Sequence, residues 1–381
     1  MYIYILLFII TAVIAIRQFE KRGKVSPYVF GLYVLSVGAF VGISDMLGGY
    51  DRYIYAEVFT AISNSVSRGE GILNEAFLRF FSKEPAYGLT NVLIGLITPN
   101  RYIFIFIYTL LMYAIYGICF YRYTEKPYFA LLIFMSLMFF FTFTYLRQVL
   151  AAGIVWLSLP YYTQRKKWKY LAIIALATMT HNSAIIMVVL YFIPLRKWKF
   201  SQIMLVMIML LGLGLVGVGG MFTFAGDMTG FENFSDHAGS AEAGFRYEYV
   251  LESFVFLFLL YQNYQLIKKN KESLSYLNLY LMFCGILLFF CKSGDGGRIS
   301  WYGVMGLIFI LTQICKLQSR IGLRLFLTIM LFGLFFRVLD AWEFNMCPYK
   351  TFFTPGHTGS EWIYEKYEYD TNYDVNKFYN L

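Results

Sequence analysis

The chain has 381 residues, of which 59% are hydrophobic and only 14% charged. Apolar runs of membrane-span length recur from end to end, which excludes an ordinary soluble domain and predicts an all-α, polytopic integral membrane protein. The formal charge of +9 does not point to nucleic acid, because the lysines and arginines fall mainly in short clusters between apolar runs, where they orient the protein in the bilayer.

The N-terminal "MYIYILLFIITAVIAIRQFEKRGK" places its apolar run before its positive charges. A cleavable signal has the opposite order, so a retained first helix is expected, starting outside and ending inside. Spans are predicted near residues 2–16, 28–47, 102–120, 128–146, 148–162, 170–194, 203–225, 249–267, 274–291, 299–315 and 322–339, which makes about 11–12 transmembrane helices. The transmembrane bundle, 1–340, includes an exterior interfacial segment at 48–101, and an exterior aromatic and acidic tail follows at 341–381. Within the interfacial segment, "ILNEAFLRFF" (72–81) puts Ile72, Leu73, Ala76, Phe77, Phe80 and Phe81 on one helical face. That pattern suits a helix in the membrane interface or one packed on the bundle. The cysteines include no CxxC pair, so neither a metal site nor a disulfide framework is indicated.

Two segments need a break. Residues 128–162 as one helix would be about 50 Å long, against a hydrocarbon core of roughly 30 Å. The segment must fold back, and Arg147 with Gln148 is its polar point. Residues 170–194 are flanked by "QRKKWK" before and "RKWKF" after, and the positive-inside rule wants both flanks in the cytoplasm. A re-entrant or broken helix bending at "THNSA" (Thr180 to Ala184) permits that, provided protein or a water-filled cavity surrounds the bend. This topology places most lysines and arginines inside, with Glu20, Glu125 and Glu272 the only acidic residues beside them.

Charge at membrane depth is costly, which makes Arg147 the first functional candidate, with an interfacial arginine snorkelling to the headgroups as the alternative. His181 is the only histidine inside an apolar segment; the alternative is a bend histidine satisfied by Asn182, Ser183 or backbone carbonyls. Asp51 follows a Gly-Gly turn with Tyr55 one helical turn on. Glu84 precedes Pro85, where a carboxylate can act merely as a helix cap. Either carboxylate, if it faces Arg147, is a conceivable general base for a sugar hydroxyl. Arg298 opens a later span in "KSGDGGRISWYG" and is a second guanidinium suited to phosphate oxygens, or a partner of Asp295. Gln148 and Asn182 are supporting polar groups. The tail aromatics are expected to anchor at the interface rather than stack on sugars.

With these residues in view the chain resembles the EpsG-like family of Wzy-type polysaccharide polymerases. The matching features are "GGYDRYIY" after the second span, "EPAY", "YLRQVLAAGI", the basic loop followed by "THNSA", "GGRISWY" and a late "CPYK", in the right order over most of the chain. The pattern departs near residue 45, where an arginine is expected and "ISDML" stands, leaving Arg52 to substitute. The resemblance implies a GT-C-like, multi-span glycosyltransferase-type enzyme of the bacterial inner membrane, with its site facing the periplasm or cell exterior. It would join oligosaccharide units carried on undecaprenyl diphosphate, without a metal or other cofactor. Arg147 and Arg298 would hold the diphosphate, and Asp51, Glu84 or His181 would orient or deprotonate the acceptor hydroxyl. The implied partners are the lipid-linked oligosaccharide, membrane lipids, a chain-length regulator and other polysaccharide-assembly proteins, and no nucleic acid. The rivals are a membrane-bound acyltransferase using His181 with Asn182 or a carboxylate, and a transporter, for which paired Gly/Pro-interrupted halves are expected and not found.

Overall fold

The computed structural model describes residues 1–20, 23, 25–70, 80–216, 244–294, 296–318 and 320–354. Most of the predicted amphipathic stretch 72–81, most of the polar segment 226–248, Asp295 and the tail aromatics beyond 354 lie outside them. The helices, in chain order, are α1 (Tyr2–Glu20), α2 (Pro27–Gly42), α3 (Tyr50–Ser67), α4 (Pro85–Gly95), α5 (Arg101–Tyr123), α6 (Pro127–Leu137), α7 (Leu146–Leu157), α8 (Leu159–Thr163), α9 (Lys167–Thr180), α10 (Val188–Phe192), α11 (Phe200–Val216), α12 (Tyr247–Asn263), α13 (Lys271–Phe289), α14 (Gly296–Ser300), α15 (Val304–Gln318), α16 (Ile321–Ala341) and α17 (Glu343–Met346). Among the described residues, five stretches are long and apolar enough to cross a membrane: α1, α5, α13, Gly296–Gln318 and α16. The protein is an all-α, polytopic membrane protein.

Local chemistry sets several helix starts. Pro27, Pro85 and Pro127 open α2, α4 and α6, where the missing proline N–H has no intrahelical partner to lose. Asn100 caps α5 by accepting from the Tyr102 and Ile103 amides, and Asn270 caps α13 through Ser273.

The chain forms two compact units. The first comprises Met1–Leu157, Ala172–Ile185 and the chain from Arg320 onward; the second comprises Ser158–Leu171 and Ile186–Ser319. In the first, the segment from α6 to α7 folds back along α5. The Phe134 ring lies 4.7 Å from Tyr116, Tyr113 and Thr142 share a hydrogen bond of 3.0 Å, and beyond the turn Trp156 returns to 5.2 Å from Tyr116. The fold-back expected of 128–162 is therefore present, but its turn is not at Arg147 and Gln148. It occupies residues 138–145, partly as the 3-10 helix Phe140–Phe143, and Arg147 sits in the first turn of α7. The Phe143 carbonyl of the break is satisfied by a residue from another segment.

That residue is Arg52, which is fully buried. Its guanidinium donates to the carbonyls of Leu47, Phe143, Val41 and Ser44, tying the turn after α2 to the turn before α7. Gly48, at φ +113°, belongs to the same junction, and a Cβ there would lie 2.8 Å from the Phe143 Cβ. The "CPYK" segment docks on this junction as well. The Tyr349 ring stacks on Phe40 at 4.2 Å and its hydroxyl donates to the Phe40 carbonyl; Asp45 N–H donates to the Lys350 carbonyl, and Ser44 bridges Thr351. Arg52 is thus used up inside the fold and does not take the place of a phosphate-gripping arginine.

In the second unit Tyr276 stacks on Phe309 at 4.0 Å, joining α13 to α15, and the Tyr280 hydroxyl joins α13 to α12 through the Phe256 carbonyl. The segment 167–192 is a hairpin, as its basic flanks predict. Its base is clamped by Arg165, whose guanidinium donates to the carbonyls of Tyr191 and Ile193 while the Tyr191 hydroxyl donates back to the Arg165 carbonyl. Its tip breaks at His181, between α9 and the 3-10 helix Asn182–Met187. The tip residues, 172–185, belong to the first unit.

Candidate functional site

The start of α7, the start of α4, one face of α3 and the hairpin tip bring six of the predicted residues together: Arg147, Gln148, Glu84, Tyr55, His181 and Asn182. Arg147 Nη1 lies 2.5 Å from Glu84 Oε2. The guanidinium carbon sits 5.4 Å from the Tyr55 ring centre and 5.7 Å from that of Tyr87, positions in which the ring faces attract a cation. The Arg147 side chain keeps 34% exposure, whereas that of Glu84 keeps 7%.

Glu84 does occupy the position before α4, but its side chain makes no capping hydrogen bond. One oxygen takes Arg147 and the other, Oε1, accepts the backbone N–H of Asn182 at 3.1 Å. The carboxylate therefore links α7 to the hairpin tip. Because each of its oxygens already has a donor, the geometry suits it to holding Arg147 in place.

His181 lies beside this pair. The Ser183 backbone N–H donates to Nδ1 at 3.3 Å, and the Ser183 hydroxyl lies 2.8 Å from the same nitrogen. Gln148 Nε2 donates to that hydroxyl at 3.2 Å. Nδ1 is thus the accepting nitrogen, and the neutral ring carries its proton on Nε2.

Three buried polar atoms at the site make no hydrogen bond among the described residues: Arg147 Nε, Asn182 Nδ2 and the Tyr87 hydroxyl. The first two belong to the residues that bond Glu84.

Asp51 is partly buried in the first turn of α3, one turn before Tyr55. Burial pushes the Tyr55 phenol above its ordinary range, Arg147 opposes that rise, and Asp51 and Glu84 add to it. Tyr55 therefore feels all three charged groups and stays a neutral phenol at physiological pH. Arg298 is in α14, in the second unit.

Two contributors escaped the sequence reading. Tyr87 stands three residues after Glu84 in "EPAY", so the motif pointed at it, but its approach to Arg147 needs the tertiary fold. Ser183 was visible only as a local partner of His181; its bond to Gln148, 35 residues away, has no sequence signature. Among the described residues no group of three or more His, Cys, Asp or Glu side chains could hold a metal ion.

The first unit of this multi-span helical protein thus gathers an arginine–carboxylate pair, a histidine and tyrosine faces at helix ends. The chain belongs to the EpsG family, whose model matches residues 28–351 of 381 and so includes the whole of this site. Membership implies a glycosyltransferase-like, polysaccharide-polymerase type of function in general. No curated protein and no solved structure matches the chain.

Proposed function

We propose that the protein joins oligosaccharide units carried on undecaprenyl diphosphate at the outer face of the bacterial cytoplasmic membrane. The observation that carries this reading is the pair of buried donors without acceptors, Arg147 Nε and Asn182 Nδ2, beside Glu84. A buried donor left unpaired costs about 1–3 kcal/mol, and more when it is charged. A diphosphate oxygen would supply the acceptor, and a guanidinium already oriented by Glu84 and two tyrosine rings suits the forked geometry of phosphate.

In the transfer, the acceptor sugar hydroxyl attacks the anomeric carbon of the donor unit. The new C–O bond forms as the bond to the diphosphate breaks, the lipid diphosphate departs with the electron pair, and the hydroxyl proton passes to a base. Arg147 stabilises the charge that develops on the leaving diphosphate, which is where preorganised donors lower the barrier most. The His181 Nε2–H adds a second donor. Glu84 positions Arg147, and Asp51 is the carboxylate assigned to the acceptor hydroxyl. The acyltransferase reading needs a basic nitrogen on His181, and the Ser183 N–H donating to Nδ1 supports the tautomer with its proton on Nε2 instead.

Purified protein incubated with a lipid-diphosphate-linked oligosaccharide is expected to give a ladder of products, with one lipid diphosphate released per bond formed. Acyl transfer without a ladder, or a ladder without lipid diphosphate release, would overturn the reading.

A further inference from the structure

Within the second unit, α11 and α13 meet backbone to backbone at one end, where a Cβ on Gly214 would sit 2.5 Å from the Leu288 carbonyl oxygen. Toward Trp198 and Asn278 they part. The gap is a cavity of about 630 Å³ whose walls are apolar, among them Val189, Val206, Met207, Leu210, Met282 and Ile286. Val206 is 48% exposed, so the cavity opens sideways onto the apolar face that α11 turns outward.

The polar members of the lining are Trp198, Gln202 and Asn278. Asn278, 2% exposed, donates through Nδ2 to the Tyr162 hydroxyl and the Pro194 carbonyl, while its Oδ1 has no partner among the described residues. Basic groups cluster beside Trp198. The Arg196 guanidinium lies 3.6 Å from the Trp198 ring centre, and Lys197 lies 4.9 Å from the Tyr264 ring and donates to the Ile267 carbonyl. Arg196, Lys199, Lys268 and Lys269 are exposed.

We propose that this cavity binds one anionic glycerophospholipid, with an acyl chain between α11 and α13 and the headgroup against Trp198 and the Arg196–Lys199 segment. Charge complementarity selects an anionic headgroup, such as that of phosphatidylglycerol, over a zwitterionic one. The ammonium of Lys197 is pushed below its ordinary range by burial and then by neighbouring Lys269, a like-charge crowding that an anion relieves. The same basic loops are the ones the positive-inside rule assigns to the cytoplasmic leaflet, where anionic lipid neutralises such clusters. This inference does not depend on the polymerase reading.

The test is lipid retention by the full-length protein in native mass spectrometry, after titration with phosphatidylglycerol, phosphatidylcholine or an isoprenyl diphosphate. Wild type should retain one phosphatidylglycerol in preference to phosphatidylcholine. The double substitution Arg196→Gln with Lys199→Gln should weaken that retention about tenfold or more. Val206→Trp, which fills the opening from an exposed position, should abolish it while leaving the lipid-free Tm unchanged. Equal retention of the two phospholipids, retention untouched by Val206→Trp, or tighter retention of the isoprenyl diphosphate would each overturn the proposal.

Discussion

Arg147, Glu84 and His181 act as one assembly at the residue scale, since Glu84 bonds both Arg147 and the amide next to His181. Replacing Glu84 by Gln keeps the shape but removes the charge that orients the guanidinium. Polymer formation is expected to fall on the order of 10²-fold, the scale of a reacting group displaced by about 1 Å, and a rate assay on the reconstituted protein checks it. For His181, nitrogen NMR of histidine-labelled protein should show an unprotonated Nδ1 and a protonated Nε2, with Ser183→Ala producing a mixture of the two forms. A protonated Nδ1 in the wild type would contradict the donor role. Sequence reading reached the candidate residues because ionisable groups at membrane depth are rare enough to stand out. It did not reach the orientation of any of them. A carboxylate placed to cap a helix, as at Glu84, reads the same whether it faces its own helix or a partner 63 residues away.

Among the elements, the two overlong apolar segments show what charge and length can and cannot locate. Basic clusters at both ends of 170–194 pointed to the hairpin, because two basic ends expected on one side of a membrane impose a return. Arg147 and Gln148 do not locate the bend of 128–162, which lies earlier, where Arg52 donates to the Phe143 carbonyl that the helix break leaves open. An acceptor carbonyl leaves no mark in a sequence, so this use of Arg52 was illegible. Its consequence is testable by thermal unfolding in detergent. Arg52→Met should cost more than about 3 kcal/mol, since four buried carbonyls lose a charged donor, and Arg52→Lys should not restore it. Gly48→Ala should cost about 1–3 kcal/mol, because the positive φ and the close Phe143 leave no room for a Cβ. A neutral Arg52 substitution with impaired polymer formation would return that residue to the catalytic list.

At the scale of the whole molecule, the proposed topology puts both flanks of the hairpin in the cytoplasm. Cysteines introduced at Lys166 and Lys197 should be labelled only from the cytoplasmic side, and one at the exposed Pro99 only from outside. The native cysteines among the described residues are buried except for Cys347, so a Cys347→Ser background makes the readout clean. The central claim is that this membrane-embedded bundle uses Arg147 to take the charge of a departing diphosphate. The measurement that meets it most directly is the single-turnover rate of Arg147→Lys against wild type on a lipid-diphosphate-linked oligosaccharide, with Tm recorded for both. The Arg147→Lys rate should be lower by about 10²–10³-fold, the loss expected when one preorganised donor is removed, at an unchanged Tm. A normal rate for Arg147→Lys would contradict it.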